Sequence, residues 1–166
     1  MSESFAHIYY GIEGETTILK ISGSLRFNQC GPLEFFLKKY LPKQPMQTLL
    51  VDLSETTLLD STALGLLAQI ALQYKKISHH TPQLYCQDND LKQVLLSMGL
   101  DQLFEFTTKA PLPHDLLELI VPTEPQDIQT ARSLTAHKTL MGLNEENKQE
   151  FKTVVELLEE TLRRGQ

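Results

Sequence analysis

The first part of the chain alternates between hydrophobic and polar residues. Ile8, Tyr10 and Ile12 in residues 5–12 recur with a period of two, Ile18 follows in residues 16–21, and Glu13-Gly14 separates the two segments. This period is typical of a half-buried strand, and a short turn that contains Gly joins such strands into a hairpin. We therefore expect a β-hairpin near the start of the chain.

A helical spacing replaces the alternation further along. Residues 31–41 carry apolar side chains at i, i+3, i+4 and i+7, and Pro42 and Pro45 follow. The same spacing returns in residues 61–77. A third helix is expected from a cap at Asp88 or Asn89 up to Gly99. The sequence thus predicts three amphipathic helices in this region.

Short apolar runs lie between these helical segments. Residues 48–53 are nearly all apolar, which is typical of a central strand covered on both faces, and a turn is expected at 54–57. Runs at 83–86 and 103–106 predict two further strands. Strands and helices therefore alternate, as they do in an α/β fold.

The pattern changes after residue 110. Four of the eight prolines lie between residues 111 and 125, and Pro removes a backbone donor and disfavours helix in the residue before it. We interpret residues 1–110 as one domain and 111–125 as a Pro-rich connector with a short helical turn at 115–120. Residues 126–166 form a helical C-terminal extension.

The extension contains two predicted helices, at residues 127–141 and 144–164, with Gly142 between them. Each carries an apolar stripe that must be buried. The stripes could pack on the preceding domain, form a dimer or wait for a partner. We expect packing on the chain's own domain, and a homodimer stays open.

Composition and charge argue against several classes of function. The 166 residues hold 15 Lys and Arg against 21 Asp and Glu, a formal net charge of −6. A nucleic-acid partner normally requires a basic face, so none is expected. No signal peptide or membrane-spanning run is recognisable, so a cytoplasmic protein without a membrane partner is expected. Cys30 and Cys86 lack the spacing of a metal or redox pair and are expected to be buried and reduced. The five histidines are scattered, and no metal or cofactor is expected.

One junction concentrates polar groups. In LLDSTALGLLAQ, residues 58–69, the sequence Asp60-Ser61-Thr62 stands between apolar residues at the start of a predicted helix. One interpretation is a helix cap, in which Asp60 or Ser61 accepts from free backbone N–H groups. The other is a hydroxyl that carries a phosphate, because helix N-termini favour anions. Such a phosphate would oppose an apolar or acidic partner surface and so switch a docking face.

Residues 49–76 resemble the signature of STAS domains, the fold of bacterial anti-sigma factor antagonists. The strand end reads Asp52-Leu53-Ser54, and the helix start reads Asp60-Ser61-Thr62-Ala63-Leu64-Gly65. Residues 91–106 are similar to the family's later helix and closing segment. The resemblance implies a STAS fold, with a mixed β-sheet flanked by helices and the C-terminal helices as an addition.

In that family a partner that is both serine kinase and anti-sigma factor phosphorylates the Ser after the Asp. A PPM-type phosphatase removes the phosphate, and the unphosphorylated form binds the partner. The resemblance implies Ser61 as the acceptor, Thr62 as the second choice and Asp60 beside them on the contact surface. Gly65 would let the helix pack closely or leave room for a partner. The other partner-binding residues would be Ala63 and Leu64.

One position departs from the family's pattern. Many members carry an acid after the second strand, in the pattern G-x-L/F-D, whereas this chain reads Gly23-Ser24-Leu25-Arg26. Arg26 would pair with a phosphate on Ser61, or simply lie at the surface. The exchange points to partners that differ from the usual ones. The C-terminal extension also resembles the tails of STAS proteins encoded with response regulators, so a response regulator with a phosphatase output is a further candidate partner.

The sequence therefore favours a protein-binding module without enzymatic activity. It would sequester a kinase/anti-sigma factor or a response regulator while Ser61 is unphosphorylated. The alternative is a STAS subunit of an ABC lipid transporter complex. A hydrolase with Ser61 in a Ser-His-Asp triad lacks the G-x-S-x-G elbow and a Gly-rich oxyanion loop.

Overall fold

The computed structural model describes residues 5–43, 47–111 and 115–165. At its centre is a sheet with the strand order β5-β4-β3-β2-β1-β6. β1 pairs antiparallel with β2 and β6, whereas β2, β3, β4 and β5 are parallel neighbours. The predicted hairpin and the α/β order are confirmed, and the sheet is mixed. The strands are β1 (His7–Glu13), β2 (Thr16–Leu25), β3 (Thr48–Leu59), β4 (Gln83–Tyr85), β5 (Glu105–Thr107) and β6 (Leu117–Glu118).

The helices follow the predicted order. The first, α1, continues through a π-helical turn, Phe36–Tyr40, and a 3₁₀ turn, Leu41–Lys43. The 3₁₀ turn includes Pro42, and Pro45 lies outside the described residues. The helices are α1 (Gly31–Phe35), α2 (Ser61–Ser78), α3 (Asn89–Ser97), α4 (Gln126–Met141) and α5 (Glu145–Arg164).

β3 is the central strand, as its apolar run predicts. Leu49, Val51 and Leu53 are at most 1% exposed and belong to the main core, together with buried residues of α1, α2 and α3. Successive side chains of a strand point to opposite faces, and the other face of the sheet carries a small second cluster. It consists of Ile18, Leu50 and Tyr85, with Leu116 packed against them.

The predicted turn at residues 54–57 is wrong, because β3 continues to Leu59. The pairing of β3 with β2 shifts register at two places, and a bulge accommodates an extra residue without ending a strand. Near the first shift the Asp52 carboxylate accepts a hydrogen bond from the Ser54 N–H (2.9 Å). The polar residues that suggest a turn therefore lie in irregular positions of a longer strand.

The predicted helical turn at residues 115–120 is also wrong. This segment contains β6, which lies beside β1 with Leu117 opposite Tyr10 and Glu118 opposite Tyr9. The Glu118 carboxylate is 2.6 Å from Nδ1 of His7. Prolines before and after the segment favour extended backbone over helix, and the edge of the sheet supplies the pairing. Pro113 and His114 lie outside the described residues.

The C-terminal extension packs on its own chain, as expected. α4 lies against α2, and α5 lies against α4. Phe151 and Val155 are buried, as predicted from the apolar stripe of α5. The prediction of an apolar stripe is wrong for α4, whose buried side chains are mostly polar or small. They are Thr130, Arg132, Ser133, Ala136, His137 and Leu140.

Both cysteines are free thiols, but their surroundings differ. Cys30 is fully buried, and burial raises the pKa of its thiol, which donates to the Arg26 carbonyl oxygen (3.3 Å). Cys86 is partly exposed at the end of β4, so the expectation of burial holds for Cys30 only. Within the part of the chain that the structure describes, no helix is long and apolar enough to span a bilayer.

Candidate functional site

Asp60 joins the ends of two parallel strands to the start of α2. One carboxylate oxygen accepts from the Ala63 N–H (3.0 Å), and the other accepts from the Phe27 N–H (2.6 Å). The Asp60 N–H donates to the Leu25 carbonyl oxygen (3.1 Å). The predicted helix cap is therefore present, and Asp60 is the residue that forms it. The same carboxylate also ties the loop after β2 to the helix.

Replacing Asp60 by Ala is expected to destabilise the fold by about 2.5 kcal/mol. Loss of a cap costs about 1 kcal/mol, and loss of a hydrogen bond to a charged acceptor adds about 1.5 kcal/mol or more. Asp88→Ala is the matched control, because the Asp88 carboxylate caps α3 by accepting from the Leu91 N–H (2.9 Å). Urea unfolding should show the larger loss for Asp60→Ala. Equal losses would contradict a bridging role for Asp60.

Ser61 is the first residue of α2, and its hydroxyl faces α4. Ser61 Oγ lies 2.7 Å from His137 Nε2, and His137 Nδ1 lies 2.7 Å from the Ser133 carbonyl oxygen. A carbonyl oxygen only accepts, so Nδ1 carries a proton and Nε2 of the neutral ring is an acceptor. The Ser61 hydroxyl therefore donates to His137. The imidazole is buried and lies edge-on to Phe151, with the ring centres 5.2 Å apart.

Thr62 lies deeper than Ser61. It is 2% exposed, and its hydroxyl oxygen is 2.8 Å from Ser133 Oγ on α4. Ser61 is partly exposed. Of the two candidate acceptors, Ser61 is thus the more accessible in this conformation. Ala63 and Leu64, which the resemblance places on a partner-binding surface, are buried as well.

α2 and α4 approach each other closely at Gly65. A Cβ atom at this position would lie 2.3 Å from the Ala136 carbonyl oxygen, which is far inside van der Waals contact. Of the two roles considered for Gly65, the structure shows close packing, and the partner in contact is the chain's own α4. One turn further on, Gln69 Nε2 donates to Thr139 Oγ1 (3.2 Å).

The two arginines near this site have different surroundings. Arg26 is exposed at the end of β2, one residue before the Phe27 N–H that bonds to Asp60. The Arg132 side chain is 1% exposed and lies between two carboxylates. Its Nε is 3.1 Å from Glu34 of α1, and its Nη2 is 2.6 Å from Glu124 of the connector. Arg132 therefore holds three segments together beside the start of α2.

Ser133, His137 and Arg132 belong to the site but are not among the predicted site residues. A signal for them exists, because Ser133, Ala136, His137 and Leu140 recur at helical spacing. Ser133 and His137 make that stripe partly polar, however, so hydrophobic periodicity alone does not identify it as a buried face. Only the packing of α4 on α2 shows that it is a buried face.

The arrangement does not form a hydrolase triad. The Nδ1 atom of His137 bonds to a backbone carbonyl, whereas the triad requires a carboxylate at this position. Among the described residues, no group of three or more His, Cys, Asp or Glu side chains could hold a metal ion. The groups that meet at this site are a capped helix start, the Ser61 hydroxyl and the His137 imidazole, which accepts a hydrogen bond from that hydroxyl.

The family model described as Mlab, STAS domain, matches residues 8–107. The chain belongs to the STAS domain family. The predicted STAS fold is therefore confirmed for β1 to β5 and α1 to α3, and the match ends before α4. A search of the curated proteins gave no significant match to this STAS protein.

Solved structures share this STAS fold. An anti-sigma factor antagonist from Mycobacterium paratuberculosis is 19% identical, with a TM-score of 0.55, and the match covers 63% of this chain and 87% of that one. The anti-sigma factor antagonist SpoIIAA in its unphosphorylated form is 12% identical, with a TM-score of 0.51 and coverages of 63% and 89%. The Bacillus cell fate determinant SpoIIAA in its phosphorylated form is 14% identical, with a TM-score of 0.50 and coverages of 62% and 92%.

Proposed function

We propose that this STAS protein is an anti-sigma factor antagonist that is switched by phosphorylation of Ser61. Unphosphorylated, it binds and sequesters a serine kinase/anti-sigma factor or a response regulator. The phosphorylated form releases that partner, and a PPM-type phosphatase restores binding. The protein acts by binding its partner and carries out no catalytic step of its own. It does so in the cytoplasm.

The observation that carries this proposal is the position of the Ser61 hydroxyl. It stands at the first residue of α2, directly after the capping carboxylate of Asp60, and it is partly exposed. A phosphate would bring a charge of about −1.5 to −2 to this point. The α2 dipole tolerates an anion at its N-terminus, so the fold can accept the modification. A partner surface placed against the same turn would meet that charge directly.

A phosphate on Ser61 would also change the hydrogen bonding and the charge balance around this residue. In the unmodified protein Ser61 donates its only hydroxyl proton to His137, and a phosphate ester oxygen has no such proton. Asp60 adds a second negative group one residue away. Arg26, exposed on the neighbouring strand end, is our proposed counter-charge for the phosphate.

The test is phosphate mapping by mass spectrometry, after the protein is incubated with ATP and a cytosolic extract of its native cells. We expect phosphate on Ser61 of the wild type and none in that tryptic peptide of Ser61→Ala. The exposed Ser54, in the neighbouring strand, is the internal control. Phosphate on Ser54 and Ser61 alike would indicate unselective labelling and contradict a dedicated acceptor.

Partner capture from the same extract completes the test. Ser61→Ala should retain the partner at wild-type level or above, and Ser61→Asp should retain at least tenfold less. Equal retention of a kinase or response regulator by both variants would count against the switch. Retention of an ABC ATPase by both variants would favour the alternative, a STAS subunit of an ABC lipid transporter complex.

A further inference from the structure

One face of α2 is covered by another helix of the same chain. We call it the α2 groove and define it by Ser61, Thr62, Gly65 and Gln69, which recur at helical spacing along α2. Each of these residues contacts α4 through a side-chain hydrogen bond or a close approach. The groove includes the first turn of α2, against which the proposed function places the partner.

We propose that the α2 groove is a helix-docking surface on which α4 and a helix of the partner protein compete. This inference rests on the proposed function for the identity of the partner. The inference adds two points to the proposed function. The partner contacts the groove with a helix, and α4 leaves the groove before that helix enters.

The contacts of α4 specify the chemistry of the competing helix. Opposite Gly65 it needs a residue as small as Ala136, because the two backbones approach too closely for a larger one. One turn before that residue it needs a short hydroxyl, as Ser133 provides for Thr62 (2.8 Å). Beside it, a side chain must accept a hydrogen bond from Ser61, as His137 does. A helix with this pattern of small and short polar residues fits the groove, whereas a helix with a stripe of leucines does not.

Part of the interface with α4 consists of polar contacts. Three hydrogen bonds join side chains of the groove to Ser133, His137 and Thr139, and water or another helix can replace them. Leu140 of α4 belongs to the main core, so the exchange also has to uncover this side chain. The Cβ position of Gly65 leaves no room for adjustment, so the groove accepts one depth of helix only. A contact that is polar and shape-selective favours specificity over permanent burial.

The connector that joins α4 to the domain makes α4 a strong competitor for the groove. A helix tethered by a short connector reaches its site at an effective concentration in the millimolar range. An external helix must therefore bind well, or α4 must be weakened, before exchange is seen. Loss of the Ser61 hydroxyl proton weakens α4 and the partner helix alike, so Ser61→Ala leaves the competition unchanged. A phosphate on Ser61 adds a negative charge that opposes the partner's contact.

The first experiment measures binding of a fluorescent peptide spanning residues 125–165, which carries the docking face of α4. The receiver is the full chain with Ala136→Glu, since Ala136 is fully buried at the groove. Its matched control is Thr135→Glu, which places the same charge on the exposed face one residue earlier. We expect Ala136→Glu to bind the peptide at least tenfold more tightly than Thr135→Glu. Equal affinities in two cooperatively folded variants would overturn the proposal.

A reversible latch provides a second test that does not depend on the folding of Ala136→Glu. The hydroxyl oxygens of Thr62 and Ser133 are 2.8 Å apart, so cysteines at both positions should bring two sulfurs within bonding reach. Cys86→Ser in the same chain removes the partly exposed native thiol. The oxidised latch should exclude the peptide. The reduced form lacks the Thr62–Ser133 hydrogen bond that helps to hold α4, so dithiothreitol should restore peptide binding. Peptide binding that is equal in both redox states would place the peptide elsewhere and refute the groove.

These two experiments are separate from the test of Ser61 as a phosphate acceptor. Neither contains a kinase or a phosphate, so a negative peptide result leaves the phosphorylation proposal standing. Conversely, an unmodified Ser61 in every extract would refute the switch while the peptide data still describe the groove. If both hold, the oxidised latch should also lower phosphorylation of Ser61 at least tenfold relative to the reduced latch. Equal phosphorylation of the two forms would show that the kinase reaches Ser61 while α4 is docked, and would contradict the order of steps proposed here.

Discussion

Gly65→Val is expected to lift α4 from α2 while the sheet and the first three helices stay folded. Even a Cβ atom would lie 2.3 Å from the Ala136 carbonyl oxygen and 2.6 Å from its carbonyl carbon. Backbone atoms cannot rotate away as a side chain can, so the helices must separate. Overpacking costs about 1–3 kcal/mol, and we expect about 3 kcal/mol here because Val adds two further methyl groups. That corresponds to roughly a 100-fold change in the docking equilibrium.

Hydrogen exchange followed by mass spectrometry measures this effect. The amides of residues 133–140 should exchange much faster in Gly65→Val than in the wild type, and those of β3 should not change. Gly142→Val is the control, because a Cβ atom there meets nothing nearer than 3.4 Å and the backbone is helical. If the two variants exchange alike, steric closeness at Gly65 is not what sets the position of α4.

Arg132→Met is expected to lower the free energy of unfolding by about 3 kcal/mol, because removal of one member of a buried ion pair typically costs about 3–5 kcal/mol. The Met side chain fills similar space but leaves the carboxylates of Glu34 and Glu124 without their cation. These carboxylates are 17% and 28% exposed, so water screens part of the penalty, and we expect the lower end of that range. The loss falls on the contacts that join α1, the connector and α4.

Urea unfolding of two further variants checks the Arg132 prediction. Arg164→Met removes an exposed pair with Glu160, in which the side chains are 80% and 48% exposed. Such pairs contribute about 1 kcal/mol or less, so this control should be nearly neutral. Adding Glu124→Gln to Arg132→Met should recover part of the stability, since one unpaired charge is removed. A loss in Arg132→Met no larger than in Arg164→Met would show that the buried cluster does not hold α4.

Local signals in the sequence identify most of the elements. The spacing of apolar residues places α2, α3 and α5 close to their observed bounds, because each buries a face of that period. The helix predicted over residues 31–41 is α1 together with the π-helical and 3₁₀ turns that continue it. The junction at residues 58–69 is recognisable as a helix start because Asp60 has the chemistry of a cap. Two of the wrong predictions share a cause. At 54–57 and 115–120 the local residues suggest a turn or a helix, but pairing with a neighbouring strand decides the backbone, and that neighbour is distant in sequence.

The surroundings of the candidate site depend on tertiary structure much more than the helices and strands do. His137 is 76 residues from Ser61 in sequence, and its hydrogen bond to Ser61 exists only because α4 crosses α2 at Gly65. The buried stripe of α4 is partly polar, so hydrophobic periodicity alone does not reveal it. Arg132 likewise reads as a surface cation until the fold places Glu34 and Glu124 on either side of it.

The sequence by itself determined most of the elements, the capped start of α2 and the presence of a hydroxyl directly after that cap. These follow from interactions within a few residues, where side-chain chemistry and backbone geometry are set locally. Only the tertiary structure decided that α4 packs against this hydroxyl and that His137 accepts a hydrogen bond from it. The reason is physical: complementarity between two helix faces depends on depth and angle of contact, and no short stretch of either helix encodes these alone.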